Sequence, residues 1–172
     1  MKVWDFLLQI NIIIYFYFMN KIRIRTATIE DLEILLQFEQ GIITAERPLD
    51  ETLKSGTISY YDIQQMILEQ KTEVAVAEID GKLVGSGYAK IIEAKNYYDF
   101  DRYAYLGFMF TDVQYRGLGI NNKIIDFLKD WCKSKDIIEL RLDVYDTNLS
   151  AIKSYEKSGF TKDMVNMRIR LK

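Results

Sequence analysis

Two segments in the second half of the chain carry residues whose types and spacing could do chemistry. The first reads Tyr115-Arg116-Gly117-Leu118-Gly119-Ile120-Asn121 and lies between an apolar stretch and a long amphipathic pattern. Two glycines let the backbone turn tightly and bring its N–H groups close to a ligand, and the N-terminus of the following helix adds partial positive charge. The segment is a candidate diphosphate-binding turn, although neither a Walker A nor a GxGxxG pattern is present. An ordinary strand-to-helix turn is the alternative interpretation.

The second segment begins at Asn148 and ends at Phe160. Its first residues, Asn148 or Ser150, can cap a helix. Tyr155 follows Ala151 by four residues, so the two share a helix face, and Gly159 provides a C-terminal stop. The pattern places a phenol on a short helix beside the end of the preceding strand. A packing tyrosine with a satisfied hydroxyl is the alternative.

Composition restricts the remaining chemistry. The chain has 172 residues, which predicts one domain, and it contains no histidine and a single cysteine, Cys132. These counts exclude Ser-His-Asp and Cys-His catalysis, HExxH zinc sites, disulfide frameworks and cysteine-rich metal sites. Cys132 follows a tryptophan on the buried side of a helix and is predicted to be a small core residue. The net charge of −2 gives no electrostatic signature of nucleic-acid binding.

The N-terminal residues form a separate question. Residues 3–18 are almost wholly apolar and are interrupted by Asp5, Gln9 and Asn11. A membrane helix needs about 20 apolar residues, and a signal peptide needs a small-residue cleavage site that this run lacks. We therefore expect residues 1–18 to be an apolar extension that precedes a single domain at residues 19–172. An extra packed element and a membrane anchor are the alternatives, and the anchor is disfavoured.

Alternating strand and helix patterns follow without a linker. Strands are predicted at residues 21–26, 73–79, 82–92, 103–111, 139–145 and 165–171, and helices at residues 29–41, 61–70, 117–135 and 150–158. Asp80-Gly81 is a two-residue hairpin signal, and residues 44–59 read as a polar loop. Hairpins early and crossovers late predict an α/β (α+β) fold. Its mixed, mostly antiparallel sheet has six to seven strands flanked by about four helices.

Together, the two segments resemble the GNAT superfamily of N-acetyltransferases. The acyl-CoA motif of that family, Arg/Gln-x-x-Gly-x-Gly/Ala, aligns with Arg116 to Asn121, where Asn121 replaces the final small residue. A second motif, Asn-x-x-Ala-x-x-x-Tyr-x-x-x-Gly-Phe, is matched at every fixed position from Asn148 to Phe160. Because asparagine tolerates left-handed backbone geometry, the turn is expected to survive the replacement at Asn121. The element order matches over residues 21–171.

The resemblance implies an acyl-CoA N-acyltransferase fold and a function. Members transfer acetyl from acetyl-CoA, used as a co-substrate, directly to an amine in a ternary complex, without a covalent nucleophile or a metal. Tyr155 maps onto the tyrosine that protonates the departing CoA sulfur. The implied acetyl-CoA-binding residues are Met109, Phe110, Thr111, Arg116, Gly117, Leu118, Gly119, Ile120, Asn121, Asn148 and Tyr155, the first three acting through backbone N–H groups.

The sequence identifies the general base less clearly than it identifies Tyr155. Many members place a carboxylate on the strand before the asparagine motif, and Asp143 occupies that place. A solvated aspartate paired with Arg141 or a lysine is an equal alternative. A second carboxylate position seen in members, two residues before Met109, is Gly107 here, which closes that route.

The acceptor is expected to be a small-molecule or peptide amine. Two segments, between the first two helices and at residues 93–102, hold an excess of acids and four tyrosines, which suits a cation. Ordinary surface-loop composition is the alternative. These residues are Glu46, Asp50, Glu51, Asp62, Glu93, Asp99 and Asp101 with Tyr60, Tyr61, Tyr97 and Tyr98.

Three further expectations concern the protein as a whole. It is expected to be cytoplasmic, and a homodimer formed through the C-terminal strand or the apolar extension is anticipated. An enzyme acting on protein N-termini or lysines, and a non-catalytic acyl-CoA sensor, are the alternative functions.

Overall fold

The structure, a computed structural model, describes residues 21–171. The predictions for residues 1–18 and the start of the domain at Met19 fall outside this range. Within residues 21–171, no helix is both long enough and apolar enough to cross a bilayer.

A five-stranded sheet in the order β1-β2-β3-β4-β5 organises the described chain. Its strands are β1 (Arg23–Thr26), β2 (Thr72–Ile79), β3 (Lys82–Glu93), β4 (Arg102–Thr111) and β5 (Leu140–Arg141). The first four strands pair antiparallel in sequence order, and β5 pairs parallel to β4. The predicted hairpin between β2 and β3 is present, because Asp80 and Gly81 take the positive φ angles, 49° and 81°, that a two-residue hairpin turn uses.

Four α-helices cover the sheet in the described part of the chain. They are α1 (Leu32–Glu46), α2 (Ile63–Leu68), α3 (Ile120–Ser134) and α4 (Leu149–Lys157). Helix α1 continues past its predicted end at Gly41, because Ile42 and Ile43 extend the buried stripe that faces the sheet. Gly41 is accommodated by the Phe110 ring, which fills the space of a missing side chain: a Cβ there would lie 2.5 Å from a ring carbon.

Two apolar clusters form the core, one on each face of the sheet. Helix α3 packs Ile124, Leu128 and Cys132 against one face. Helices α1 and α2 pack Leu35 and Ile63 against the other. Cys132 is fully buried, which confirms the prediction of a core residue, and burial raises the pKa of its thiol to about 11.

The prediction of six to seven strands is wrong for residues 21–171. Strand β5 is two residues long instead of covering residues 139–145, and residues 165–171 form no strand. Alternation gives a segment two faces, but a strand also needs a partner for its backbone hydrogen bonds. Among residues 21–171, the C-terminal residues have no such partner, and Met164, Val165, Met167, Ile169 and Leu171 are each more than 80% exposed.

Candidate active site

A bulge interrupts β4 in its second half. The pairing with β3 shifts, so that Phe108 and Met109 together lie opposite Gly87. Phe108 adopts a positive φ of 57°, and its carbonyl accepts a buried hydrogen bond of 3.1 Å from the Ser86 hydroxyl. Positive φ is unfavourable for a bulky residue, so packing and this hydrogen bond must hold the bulge in place.

Beyond the bulge, one edge of β4 borders a cleft. Strand β5 pairs with β4 at Tyr105 and Arg141 and ends there. The N–H of Asp112 donates to Val84 on the opposite side, at 2.9 Å. Because N–H groups alternate sides along a strand, the N–H of Thr111 points toward the cleft.

The three predicted backbone donors therefore differ in direction. The N–H of Phe110 lies on the β3 side, in the same phase as that of Asp112. Thr111 faces the cleft. Met109 lies within the bulge, and its side chain packs against the α3 side of the core. Of the three, Thr111 is the residue whose backbone direction fits an acyl-group contact.

The glycine turn enters α3 directly. Gly117 and Gly119 have φ angles of 81° and 73°, in the left-handed region, and Gly119 is the N-cap residue of α3. A Cβ at either glycine would meet no atom within 4 Å, so space is open beside both. Leu118 packs onto the core between them, and Arg116 is exposed and donates from Nε to the carbonyl of Thr111 at 3.3 Å. The turn thus leaves open space beside two glycines at a helix N-terminus, where the first backbone N–H groups lack intrahelical partners.

Asn121 does not use left-handed geometry. It lies inside the first turn of α3, after Ile120, and the left-handed residue is Gly119 instead. The expectation that left-handed geometry at Asn121 preserves the turn is therefore wrong. The Asn121 amide donates to the Ser154 hydroxyl at 3.0 Å, which in turn donates to Asn122 at 3.3 Å. The departure from the family motif supplies a contact between α3 and α4.

Both ends of α4 are closed by local hydrogen bonds. Asn148 is the N-cap residue and accepts from the N–H of Ala151 at 3.2 Å, so Asn148, and not Ser150, caps the helix. At the other end, the N–H of Phe160 donates to Tyr155 O at 3.1 Å, while Gly159 has a φ of 91°. This is a Schellman ending. Tyr155 therefore lies on a short helix whose length is defined at both ends.

Tyr155 is half-buried and faces acidic and aromatic side chains. Its ring packs edge-on against Phe160, with centroids 6.1 Å apart. Burial raises the pKa of Tyr155 to about 12, and the nearby Glu46 carboxylate and Tyr61 add to the shift. Among residues 21–171, the hydroxyl forms no hydrogen bond. The side chain therefore keeps its proton at neutral pH and has it available for a ligand.

Glu46 lies where several tyrosines converge. Its charge affects Tyr60, Tyr61, Tyr145 and Tyr155. Burial raises the pKa of Glu46 itself. The buried Tyr60 hydroxyl lies beside this carboxylate but finds no partner in hydrogen-bonding geometry within residues 21–171. A buried polar atom without a partner is costly, and here it borders a carboxylate that could bind a cation.

A second carboxylate, Glu39, holds the tyrosine segment in place. Glu39 is 1% exposed and accepts hydrogen bonds from the backbone N–H groups of Tyr60 and Tyr61, at 2.7 and 2.9 Å. The Ser59 hydroxyl donates to both of its oxygens. Sequence reasoning missed this residue. The available signal was a glutamate on the buried stripe of α1, four residues after Leu35.

Asp143 lies on the opposite side of the cleft from β4. It is exposed and accepts a 3.0 Å hydrogen bond from the Tyr105 hydroxyl. Arg141 pairs with Glu139, so the expected alternative of an Asp143–Arg141 pair is wrong. At Gly107, a Cβ would lie 2.7 Å from the Tyr88 hydroxyl, so a tyrosine fills the place where a carboxylate could stand.

The second predicted acceptor segment, residues 93–102, packs on the sheet and does not face Tyr155. Tyr98 and Phe100 stack with centroids 5.0 Å apart, and the Arg141 guanidinium lies 4.7 Å from the Tyr98 ring. These rings pack on a cation of the protein's own sheet. Of the two segments, only the one between α1 and α2 contributes side chains around Tyr155, and Tyr145 joins them through a 3.2 Å hydrogen bond to Asp50.

A protein-family model decides the classification. The acetyltransferase (GNAT) family matches the chain over residues 41–160, which include the bulge, the glycine turn and α4. The chain belongs to the GNAT family. The expectation drawn from the two sequence motifs is thereby confirmed.

Individual relatives of this GNAT protein are distant. Streptothricin acetyltransferase from Escherichia coli is 36% identical over 47 residues, a match that spans 27% of each chain. A predicted acetyltransferase from Clostridium acetobutylicum, solved with acetyl-CoA, is 18% identical, with a TM-score of 0.65 and coverage of 87% of this chain and 96% of that one. An aminoglycoside acetyltransferase from an uncultured soil metagenomic sample, solved with sisomicin, is 20% identical, with a TM-score of 0.67 over 89% and 98%. The structural matches show the GNAT fold.

Proposed function

We propose that this GNAT protein transfers the acetyl group of acetyl-CoA directly to a primary amine in a ternary complex. The observation that carries the proposal is Tyr155, whose hydroxyl is free of internal hydrogen bonds among residues 21–171 and keeps its proton beside an acidic cluster. The amine must lose a proton and the sulfur must gain one, so a protonated phenol and a carboxylate on either side of the reacting atoms match the chemistry.

The turn at Gly117 and Gly119 fits a diphosphate. Its glycines leave open space, and its free N–H groups stand at the N-terminus of a 15-residue helix, where an anion is favoured. The N–H of Thr111 would contact the acyl arm, and Asn148 would fix α4 so that Tyr155 reaches the sulfur. The related fold that was solved with acetyl-CoA supports this choice of donor.

Glu46 and Tyr155 would divide the proton transfers between them. Glu46 takes a proton from the acceptor ammonium, the free amine forms the new N–C bond, and the C–S bond breaks as the Tyr155 hydroxyl protonates the departing thiolate. The nitrogen then loses its second proton, which restores the Tyr155 phenol and leaves the neutral amide. Glu46 suits the role of base because burial raises its pKa toward neutrality. Asp143 remains the competing base, held by Tyr105 on the other side of the cleft.

The acceptor would be a small cationic amine. Glu46 supplies negative charge next to three tyrosine rings, at positions 60, 61 and 145, on which a cation can lie. Asp50 is already paired with Arg168 at 2.7 Å. The structural relative solved with sisomicin acts on aminoglycosides, which are small molecules that carry several amines. This resemblance supports the amine class and leaves the specific substrate open.

The test is calorimetric binding of acetyl-CoA to the full chain, followed by a panel of amines with detection of released CoA thiol. We expect binding in the micromolar range and turnover on at least one polyamine or aminosugar. Binding without turnover on small amines, with turnover on peptides, would replace the acceptor class. Binding without any turnover would support a sensor, and absence of binding would overturn the proposal.

A further inference from the structure

A cavity opens between α2 and β3, on the side of the sheet that α1 and α2 cover. Its volume is about 210 Å³, and its lining includes Tyr60, Tyr61, Tyr88, Glu69 and Lys90. Binding sites for whole drug-sized molecules measure roughly 300–1,000 Å³, so this cavity suits one part of a ligand. Neither Tyr88 nor Lys90 takes part in the proposed proton transfers.

Tyr88 brings an unpaired hydroxyl to this cavity. The residue is 6% exposed, yet among residues 21–171 its hydroxyl makes no hydrogen bond. A second hydroxyl, that of Tyr60, is buried on the same lining and also lacks a partner in this range. A buried polar group without a partner is costly and calls for one from outside the chain. Two such groups in one cavity indicate a polar ligand.

The cavity adjoins the site of acetyl transfer at both hydroxyls. The Tyr60 hydroxyl lies beside the Glu46 carboxylate, the proposed base. The Tyr88 hydroxyl lies over Gly107, where a Cβ would be 2.7 Å away, and Gly107 directly precedes the bulge at Phe108. A ligand whose amine is held at Glu46 can therefore extend into the cavity, along Tyr60 and toward Tyr88.

Packing fixes the aromatic wall of the cavity. The Tyr61 ring lies edge-on to the rings of Tyr60 and Tyr88, with centroids 5.9 and 5.6 Å apart. Glu39 accepts hydrogen bonds from the backbone N–H groups of Tyr60 and Tyr61, which ties this wall to α1. The wall is thus formed before a ligand arrives, so little conformational freedom is lost when one binds.

The charged groups of the cavity are already paired. The Thr72 hydroxyl donates to the Glu69 carboxylate, and Lys90 Nζ lies 2.9 Å from one of its oxygens. The Thr72 hydrogen bond and the Lys90 ion pair lower the pKa of Glu69, so it stays ionised beside its counter-charge. Asp62, at the rim, is exposed and accepts from the N–H of Gln65 as the cap of α2. An ammonium or a carboxylate that entered the cavity would lose its hydration and find these charges already compensated.

We propose that this cavity binds the uncharged, hydroxyl-bearing part of the acceptor, with the Tyr88 hydroxyl as its hydrogen-bonding partner. Phenol and alcohol hydroxyls each donate and accept, so the hydrogen bond can form in either direction. The carbon skeleton of the ligand lies against the three tyrosine rings. The inference rests on the proposed function, and it narrows the acceptor class from cationic amines in general to amines that also carry hydroxyl groups.

Binding of amines to the full chain, with and without saturating CoA, tests this subsite without requiring acetyl transfer. Calorimetry compares three amines of equal size, 4-amino-1-butanol, 1,4-diaminobutane and pentylamine, with longer homologues of each in parallel. We expect the amino alcohol of the best-fitting length to bind about tenfold tighter than its two counterparts, because a site that hydrogen-bonds a hydroxyl is left with an unpaired group when the ligand lacks one. The values of kcat/KM measured with acetyl-CoA should follow the same order.

Two variants test the roles of Tyr88 and of the charge pair. Tyr88→Phe should remove the tenfold preference for the amino alcohol without lowering the melting temperature, because its hydroxyl has no partner among residues 21–171. Lys90→Met leaves the Glu69 charge uncompensated and should shift the preference toward the diamine. Tyr97→Phe, at a residue that is 68% exposed and outside the cavity, is the control and should keep the wild-type order.

Failure of the subsite and failure of acetyl transfer give different results. A wild type that prefers the diamine or pentylamine, or that binds none of the amines at any length, would overturn the subsite. A hydroxyl preference that survives in Tyr88→Phe would also contradict it. Acetyl transfer without a hydroxyl preference would overturn the subsite and leave the proposed function intact. Hydroxyl-selective binding without acetyl transfer would support the subsite and overturn the proposed function.

Discussion

Asn121, in the first turn of α3, donates a 3.0 Å hydrogen bond to Ser154, the residue that precedes Tyr155. The helix that begins at the glycine turn is therefore linked by a side chain to the helix that carries the proposed acid. The residue that departs from the family motif thus connects the glycine turn to the helix of the Asn148–Phe160 segment. A change at Asn121 should affect the position of Tyr155 more than the shape of the turn.

Asn121→Ala should lower kcat about five- to tenfold and reduce stability by about 1 kcal/mol, the usual contribution of one hydrogen bond. Acetyl-CoA affinity should change little, because the side chain points to α4. Ser154→Ala removes the same contact from the other side, so the double variant should lose less than the sum of the two single changes. Urea denaturation and steady-state kinetics measure both effects. Additive losses would show that the bond does not couple the helices.

Tyr155→Phe should lower kcat by about 10²-fold or more, while the dissociation constant of acetyl-CoA stays unchanged. The hydroxyl acts as the thiolate leaves and has no other partner among the described residues. Because the pKa of Tyr155 is about 12, the phenol loses its proton only as the pH rises through that value, so activity should not fall with this group between about pH 7 and 10. Tyr97→Phe, at an exposed residue, is the control. An unchanged kcat in Tyr155→Phe would remove the residue from the mechanism.

Glu46→Gln should lower kcat/KM for cationic amines by about 10²-fold at neutral pH. In the wild type, activity should fall as the pH drops through the pKa of Glu46, which lies above the ordinary glutamate value, and the variant should lack this limb. Glu51→Gln, exposed and in the same region, should keep the wild-type profile. If Asp143→Asn and not Glu46→Gln abolished the limb, the base would be Asp143.

The same Glu46→Gln variant should be more stable than the wild type at pH 7. A carboxylate whose folded pKa is raised binds its proton more tightly in the folded state. Its charge therefore destabilises the fold above that pKa, and the cost disappears as the pH falls below the unfolded value of about 4.3. Melting temperatures at pH 7 and near pH 4 test this: the variant should melt higher at the first and equally at the second. A variant less stable at both values would show that the carboxylate is structural.

Gly119→Ala should weaken acetyl-CoA binding about tenfold. No atom lies within 4 Å of the added Cβ, so the substitution causes no clash. Its free-energy cost arises from the φ of 73°, which is unfavourable by about 1–2 kcal/mol for a residue with a side chain. Gly81→Ala is a matched control, because Gly81 has a φ of 81° and equally open surroundings in the β2–β3 hairpin. Both variants should lose similar stability, and only Gly119→Ala should lose affinity in calorimetry. If the two variants bound acetyl-CoA with equal affinity, the turn would not be the diphosphate-binding site.

Features determined by local sequence signals were predicted correctly, and features determined by contacts between distant residues were not. Strands β1 to β4 lie within two residues of their predicted bounds, because alternation and the Asp80-Gly81 turn are local signals. The end of α4 was equally readable from Gly159. The strand predicted at residues 165–171 is absent from the structure, because alternation gives a segment two faces but does not supply a partner for its backbone. Glu39 was missed for the same reason, because its partners, Tyr60 and Tyr61, lie more than 20 residues away.

The bulge at Phe108 determines which residues of β4 face each side of the sheet. Before it, Ala104 and Leu106 pack on the α3 face, and after it, the even-numbered Phe108 packs on the α1 face. Even-numbered positions therefore face α3 before the bulge and face α1 after it, within the same strand. An insertion in the loop at residues 94–101 would leave both halves in phase. A single-residue insertion or deletion between Leu106 and Thr111 would turn the following side chains to the opposite face of the sheet and reverse which N–H groups point into the cleft. Alignments of related chains should therefore place no gap there.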